Sequence, residues 1–260
     1  MARTMLTLTA AAALVYLALC IALFIFQRSL IYYPQPRSLG PGTSMFILPV
    51  DGAELVVTTR PLRGLTQDRQ AKGALIYFGG NAEDVSYSLP DLAAAFPDHA
   101  IYLLHYRGYG GSTGTPSEAA LIADALALFD KVYAEHKNIV VLGRSLGSGV
   151  AVQLASQRPV ARLVLVTPYD SIAEIAARQF PYFPVRWLLQ DKFESSKLAP
   201  QITVPTLIIA AEHDEVIPSA RTDALFNSFR AGVAEFKVVA RAGHNTISDS
   251  PEYLPLLAAR

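Results

Sequence analysis

The stretch Val140-Val141-Leu142-Gly143-Arg144-Ser145-Leu146-Gly147-Ser148-Gly149 joins an apolar, β-branched run to a Gly-x-Ser-x-Gly motif, and a helical pattern rich in Ala, Val and Leu follows it. This order predicts a buried strand, a tight turn and a helix, with Ser145 at the apex of the turn. Gly143 and Gly147 leave the room that a Cβ atom would fill in such a turn. The Ser145 hydroxyl is then exposed at the carboxyl end of a strand, where the N–H of Leu146 can donate to a developing oxyanion.

The composition excludes several classes of function. The chain has 260 residues, its 22 Lys and Arg balance 22 Asp and Glu, and 52% of its residues are hydrophobic. Zero net charge and the lack of a basic, aromatic-rich cluster argue against nucleic-acid binding, and the apolar content argues against disorder. The single cysteine, Cys20, excludes an intramolecular disulfide and a cysteine-based metal site. We expect no metal ion and no organic cofactor.

The N-terminal segment Met5–Phe26 contains no charged residue, proline or glycine. A helix of this length is about 33 Å long, enough to cross a hydrocarbon core of about 30 Å. A cleaved signal peptide has a shorter apolar core and small residues at its cleavage site, whereas this run ends in bulky side chains. We therefore predict an uncleaved, single-pass membrane anchor over residues 1–27.

Residues 28–49 contain several prolines, glycines and serines, which predicts a linker to the globular part.

The charges that flank the predicted span do not fix its orientation in the membrane, because Arg3 precedes the span and Arg28 and Arg37 follow it. For a bacterial source we favour the outer or periplasmic face.

Residues 50–260 alternate strand-like and helix-like segments. Short, continuous apolar strands separated by helices predict an α/β domain with a mostly parallel sheet and helices on both faces. Residues 169–201 interrupt the alternation, because they are rich in aromatics and too long for one crossover helix. We predict a short helical lid over the carboxyl edge of the sheet, where ligands bind in such folds. The alternative is a helical crossover whose aromatics belong to the core.

A serine hydroxyl is a weak nucleophile and needs a base that is itself held by a carboxylate. In this architecture the partners follow later strands in the order Ser, acid, His. His244 follows the last predicted strand, and Asp214 follows the strand before it. We predict a catalytic triad of Ser145, Asp214 and His244, for which Glu212 and Glu215 are rival acids.

Asp170 is a further rival acid, because it also follows a predicted strand. It adjoins Ser171, however, and Ser171-x-x-Glu174 matches a capping box, so the start of a helix accounts for it.

An oxyanion hole needs a second donor besides the N–H of Leu146. Phe78-Gly79-Gly80-Asn81 ends an earlier strand, and we predict that the backbone N–H of Asn81 is this donor. A phosphate-binding loop is the rival interpretation for this stretch and for the glycines at 108–114. Neither stretch has the Lys-Ser/Thr ending of a P-loop or a full G-x-G-x-x-G motif, which argues against it.

Several further blocks occur in order along the chain. They are Tyr32-Tyr33-Pro34, Phe78-Gly79-Gly80-Asn81-Ala82, Tyr106-Arg107-Gly108-Tyr109-Gly110, Gly143-Arg144-Ser145-Leu146-Gly147, Phe193-Glu194-Ser195, Val204-Pro205-Thr206-Leu207-Ile208, Asp214 with Val216 and Pro218, and Gly243-His244-Asn245. With these blocks, residues 45–257 resemble the α/β-hydrolase superfamily. Within it, the chain is similar to the membrane-anchored α/β-hydrolase-domain group that includes acyl-protein thioesterases, or depalmitoylases.

The resemblance implies an α/β-hydrolase fold, a triad of Ser145, Asp214 and His244, and an oxyanion hole at Asn81 and Leu146. Two positions depart from the family pattern. Gly79 stands where the family usually has His before Gly-Asn, and His105 stands where it has Asp before Tyr-Arg-Gly.

Together these features predict a serine hydrolase that cleaves a carboxylic ester or thioester through an acyl-enzyme on Ser145. The anchor and the aromatic lid suggest an apolar substrate presented at a membrane, such as a lipid ester or an acylated protein. Two alternatives remain open, namely an amide or peptide hydrolase on the same fold and a catalytically silent, membrane-tethered binding protein.

Overall fold

A computed structural model of the protein describes residues 1–38, 44–60 and 73–259. Its described strands form one eight-stranded sheet in the order β1-β2-β4-β3-β5-β6-β7-β8. The strands are β1 Ser44–Val50, β2 Ala53–Arg60, β3 Gly73–Phe78, β4 His99–Leu104, β5 Ile139–Arg144, β6 Arg162–Val166, β7 Thr206–Ala211 and β8 Ala234–Val239. The pairs β1–β2 and β2–β4 are antiparallel, and all other neighbours are parallel, which confirms the predicted mostly parallel sheet.

Helices cover both faces of this sheet. The α-helices of the described residues are α1 Ala2–Ile31, α2 Leu89–Ala95, α3 Glu118–Glu135, α4 Leu146–Ala155, α5 Ile172–Gln179, α6 Val185–Leu188, α7 Ser195–Leu198, α8 Ser219–Phe226 and α9 Tyr253–Ala258. Successive residues of a strand point to opposite faces, so the fully buried strand β3 contributes to two cores. Ile76 packs in the core that includes α3 and α4, whereas Leu75 and Tyr77 pack in the core that includes α2 and α9.

The linker predicted over residues 28–49 is wrong at both of its ends. Helix α1 continues to Ile31, and Ser44–Val50 forms strand β1, paired with β2. Pro49 lies within β1, and the sheet tolerates it because β1 is an edge strand, where a missing N–H costs little. Residues 39–43 of the predicted linker lie outside the described residues.

Helix α1 is a candidate membrane span. It is 30 residues long with a mean hydropathy of 2.6 in its most apolar window, and within the described part of the chain only this helix is long and apolar enough to cross a bilayer. The predicted span Met5–Phe26 lies inside it. Residues 169–201, called the lid below, contain the short helices α5, α6 and α7 in place of a single crossover helix.

Candidate active site

Ser145 occupies a sharp turn between β5 and α4. Its backbone has φ 49° and ψ −117°, a conformation that non-glycine residues rarely adopt, and its N–H donates to the carbonyl of Val166 at 2.9 Å. A Cβ atom at Gly143 would overlap the carbonyl of Gly147, and one at Gly147 would overlap the carbonyl of Phe78. The two glycines therefore allow strand, turn and helix to pack closely enough to present the hydroxyl.

The structure brings Ser145, His244 and Asp214 together in one hydrogen-bonded chain. The Nε2 atom of His244 lies 2.9 Å from the Oγ atom of Ser145. The Nδ1 atom of His244 lies 3.0 and 2.9 Å from the two carboxylate oxygens of Asp214. With a proton on Nδ1 donated to Asp214, Nε2 is free to accept the serine proton. The side chains of His244 and Asp214 are each only 7% exposed, which shields the pair from water.

Asp214 and its two rival acids all lie in the loop after β7, but they have different hydrogen-bond partners. One oxygen of Asp214 also accepts hydrogen bonds from the backbone N–H groups of residues 216 and 217, which hold the carboxylate in place. Glu215 instead accepts from the backbone N–H of His244 at 3.0 Å, and this bond lowers the pKa of Glu215. Glu212 accepts from the backbone N–H of Arg241 at 2.7 Å. Both glutamates thus fix the backbone around His244 and leave the imidazole to Asp214.

Asp170 has a structural partner of its own. It forms an ion pair with Arg221 at 3.0 Å, and Ser171 caps α5 by accepting from the N–H of Ala173. Helix capping by Ser171 is as predicted. The predicted capping-box acid, Glu174, pairs instead with Arg186 at 2.7 Å.

The glycine-rich loop after β3 approaches the nucleophile. An ideal Cβ atom at Gly80 would lie 3.6 Å from the Cβ atom of Ser145, and Asn81 and Leu146 line the same cavity as Ser145. Leu146 is the first residue of α4, and the N–H groups of a helix's first turn have no acceptor within the helix. The N–H of Leu146 is therefore available to a ligand. The side chain of Asn81 is held by Tyr109, whose hydroxyl donates to it at 2.9 Å.

Two residues that support this loop were missed by the sequence analysis. Glu83 accepts from the N–H of Gly80 at 2.6 Å and from the hydroxyl of Tyr77 at 2.7 Å. Arg144, next to the nucleophile, lies 3.8 Å from Glu83 and donates to the carbonyl of His244 at 3.4 Å. The acidic pair Glu83-Asp84 directly after Gly-Gly-Asn-Ala was a signal that could have pointed to Glu83.

His105, at the position that departs from the family pattern, lies below the same loop. Its Nε2 atom is 2.9 Å from the Oγ1 atom of Thr58 and 3.4 Å from the Oγ atom of Ser86. A Cβ atom at Gly110 would overlap the imidazole ring. Burial lowers the pKa of His105 from 6.5 to about 4, so the side chain is neutral at pH 7. Its surroundings fit a packed structural histidine.

On its other side Ser145 faces a cavity of about 430 Å³. The cavity lies between α1, the lid and the loops that carry Asn81 and Asp214. Its lining is mainly apolar and consists of Leu23, Phe24, Gln27, Leu30, Ile31, Tyr33, Asn81, Ser145, Leu146, Tyr169, Ile172, Ile175, Ala176, Gln179, Phe180, Phe183, Val185, Leu188, Leu189, Val216 and Ile217. A nucleophile beside an apolar cavity suits an apolar substrate.

Comparison with known proteins places this geometry in a family. A family model described as alpha/beta hydrolase fold matches residues 73–195. An uncharacterised protein of Mycobacterium tuberculosis is 37% identical over 231 residues, which cover 84% of this chain and 80% of that protein. Protein bem46 of Schizosaccharomyces pombe is 28% identical over 262 residues, which cover 91% of this chain and 86% of bem46. This chain belongs to the α/β-hydrolase family.

The resemblance to α/β-hydrolases seen in the sequence is thereby confirmed, and so is the predicted fold. The Pyrococcus furiosus esterase Pf2001 superimposes on this α/β-hydrolase with a TM-score of 0.67 at 19% identity, over 85% of this chain and 94% of the esterase. The lysophosphatidylserine lipase ABHD12 of rat is 30% identical over 210 residues, which cover 69% of this chain. The matched region is 52% of that lipase, so the α/β-hydrolase domain described here corresponds to about half of it.

Proposed function

We propose that this α/β-hydrolase is a serine esterase or thioesterase that acts on an apolar, membrane-associated acyl substrate. The observation that carries the proposal is the hydrogen-bonded chain from Ser145 through His244 to Asp214, with 2.9 Å between the serine Oγ and the imidazole Nε2. Hydrogen-bonded contact between nucleophile and base, with the base oriented by a carboxylate, is the geometry that serine acyl transfer requires.

In the proposed mechanism the Oγ atom of Ser145 attacks the acyl carbonyl carbon while Nε2 of His244 takes the hydroxyl proton. Asp214 stabilises the imidazolium that forms. The backbone N–H groups of Leu146 and Asn81 donate to the tetrahedral oxyanion. His244 then protonates the leaving alcohol or thiol, which departs and leaves an acyl ester on Ser145. Water attacks this ester with His244 again as base, the bond between the acyl carbon and Oγ breaks as His244 returns the proton to Ser145, and the free carboxylic acid leaves.

The class of substrate is proposed from the surroundings of the nucleophile. The cavity beside Ser145 is mainly apolar, and α1 is long and apolar enough to anchor the protein in a bilayer. A similar protein, rat ABHD12, is named a lysophosphatidylserine lipase. We therefore propose a lipid ester as the substrate class, with a single-pass anchor at residues 1–27 holding the hydrolase domain at the membrane. An acylated protein, whose acyl chain is held by an ester or thioester bond, is the alternative substrate.

A fluorophosphonate probe tests the nucleophile directly, because it reacts covalently with an activated serine. We expect the full-length protein in detergent to be labelled and Ser145→Ala to be unlabelled, with a loss of ester turnover on the order of 10⁴-fold or more. Ser156→Ala, at the far end of α4, is the matched control and should label normally.

Labelling that survives Ser145→Ala would disprove the assignment of the nucleophile. A wild-type protein that is not labelled would favour the catalytically silent binding protein. Turnover of a p-nitroanilide in preference to the matching p-nitrophenyl ester would favour an amide hydrolase.

A further inference from the structure

One face of α1 packs against the lid. Cys20 is 8% exposed and Gln27 is 6% exposed, although most of the helix is open to its surroundings. Tyr16 stacks on Phe183 with ring centroids 5.6 Å apart, and its hydroxyl donates to the carbonyl of Tyr182 at 2.8 Å. Residues 16, 20, 23, 27 and 31 recur at three- and four-residue spacing, so they share one side of the helix.

Buried polar contacts hold this face in place. The side-chain oxygen of Gln27 accepts from the N–H of Gln190 at 2.6 Å, and its nitrogen donates to the carbonyl of Leu188 at 3.3 Å. Asp191 is buried and accepts from Arg28 at 3.2 Å and from the Tyr32 hydroxyl at 3.0 Å. A buried amide or carboxylate is tolerable only when it is hydrogen-bonded, so these contacts favour one docked position of α1.

The docked helix and the lid line opposite sides of the apolar cavity that Ser145 faces. Leu23 and Ile31 line it from α1, and Ile172 and Ile175 line it from α5. The carbonyl of Ile31 also accepts a hydrogen bond from the side chain of Asn81 at 2.7 Å. The helix that would enter the membrane therefore ends at the loop that faces the nucleophile.

We propose that α1 is itself one wall of the acyl-binding groove, and that the long acyl chain of a membrane lipid ester lies between α1 and α5 with its carbonyl at Ser145. This assignment rests on the proposed esterase function. It makes the anchor helix a determinant of chain-length specificity as well as a tether. The chain would pass from the bilayer into the groove along α1, without crossing water.

The outer surface of the lid supports entry from a bilayer. Tyr182 is 85% exposed and Trp187 is 88% exposed. Tyrosine and tryptophan with this exposure are typical of side chains at a membrane–water interface. Because Tyr182 and Phe183 contact Tyr16, midway along α1, these aromatics would meet the bilayer surface where the N-terminal half of α1 enters it.

A bulky substitution in the groove tests the proposal. We expect Leu23→Trp to shorten the groove and to reduce kcat/KM for p-nitrophenyl palmitate at least tenfold more than kcat/KM for p-nitrophenyl butyrate. Displacing about two methylene groups from an apolar site is enough for a tenfold loss. Ile175→Trp, on the opposite wall, should change the same ratio in the same direction.

Leu19→Trp is the matched control, since Leu19 is 49% exposed on α1 and does not line the cavity. It should leave the palmitate-to-butyrate ratio within twofold of wild type. All proteins are assayed as full-length chains in the same detergent, and fluorophosphonate labelling of Ser145 reports that each variant is folded.

The outcomes separate the two proposals. A wild type that cleaves both esters, with the ratio unchanged in a labelled Leu23→Trp, would overturn the groove assignment alone. A wild type that cleaves neither ester would count against the esterase function. Preference for an S-palmitoylated peptide over a lysophospholipid of the same chain would overturn the lipid as the occupant of the groove.

Discussion

The two sides of Ser145 are built from opposite chemistry. On one side Asp214, His244, Glu83 and Arg144 form a polar network in which carboxylates accept from backbone N–H groups or from a ring nitrogen. On the other side an apolar cavity of about 430 Å³ is lined by both α1 and the lid. The polar side has directional bonds that fix atoms for one reaction, whereas the apolar side has a shape that selects a substrate. Substitutions on the two sides should therefore have different kinetic signatures.

The sharpest test of the polar side is Asp214→Asn. The amide cannot hold the Nδ1 proton of His244 as the carboxylate does, so the imidazole loses its orientation and its stabilised positive charge. We expect kcat to fall by about 10⁴-fold, equally for short and long p-nitrophenyl esters. Steady-state kinetics on the full-length protein measure this loss.

Asp170→Asn is the matched control, because Asp170 pairs with Arg221 and not with His244. It should retain kcat within a few fold. A larger loss of kcat for Asp170→Asn than for Asp214→Asn would show that the catalytic acid had been assigned to the wrong loop.

A second test concerns the buried scaffold below the polar side. Burial lowers the pKa of His105 to about 4 in the folded protein, from 6.5 in the unfolded chain. Between these values the unfolded chain binds a proton that the folded protein does not. The free energy of unfolding therefore decreases as pH falls from 6.5 to 4, by about 3 kcal/mol in total. Above pH 6.5 the His105 imidazole is neutral in both the folded and the unfolded state, so it does not contribute to the change of the free energy of unfolding with pH.

We expect His105→Gln to lose part of its stability at pH 7 but to show a smaller drop in Tm between pH 7 and pH 4.5 than wild type. Thermal unfolding in detergent measures both values. His213→Gln is the control, since the side chain of His213 is 68% exposed, and it should keep the wild-type pH dependence. An equal drop in wild type and His105→Gln would show that other groups govern the acid response.

The polar side was largely predictable from the sequence, because the parallel sheet determines where the residues that follow its strands lie. Parallel strands bring their carboxyl ends to one edge, so residues that follow β5, β7 and β8 converge however far apart they lie in the chain. Ser145, Asp214 and His244 each follow such a strand, and the structure brings all three into hydrogen-bonding contact. The catalytic role of these residues stays a prediction until the substitutions are made.

The apolar side could not be predicted in the same way. Its walls belong to α1 and the lid, which were predicted separately from the sequence as an anchor and a cover, without any prediction of how they pack together. Nothing in an apolar helix pattern says which neighbour it packs against, because dispersion contacts are non-directional. The sequence signal that was available is Gln27, a polar residue at the end of an apolar run, whose side-chain oxygen accepts from the lid backbone while its nitrogen donates to Phe24 of α1 and to Leu188 of the lid.

The smallest expected effect on kcat comes from a substitution that disturbs the orientation of the glycine-rich loop and leaves the reacting groups in place. Glu83 contacts no reacting atom, but its carboxylate accepts from the N–H of Gly80 at 2.6 Å, one residue before the proposed oxyanion donor Asn81. Glu83→Gln keeps the size of the side chain and weakens a charge-assisted bond to the backbone. We expect kcat to fall about tenfold, the equivalent of about 1.4 kcal/mol of transition-state stabilisation, with KM almost unchanged.

The reason for this split is that the N–H of Asn81 would meet full negative charge only in the tetrahedral intermediate, so a misplaced loop weakens the transition state more than the bound ester. The fall should be the same for butyrate and palmitate esters, in contrast to the chain-length effect of Leu23→Trp. Asp91→Asn, an exposed acid that lines a second cavity together with Glu83, is the matched control and should leave kcat unchanged. If Glu83→Gln instead raised KM selectively for the palmitate ester, the loop would belong to the substrate-selecting side of Ser145, and the division between the two sides would fail.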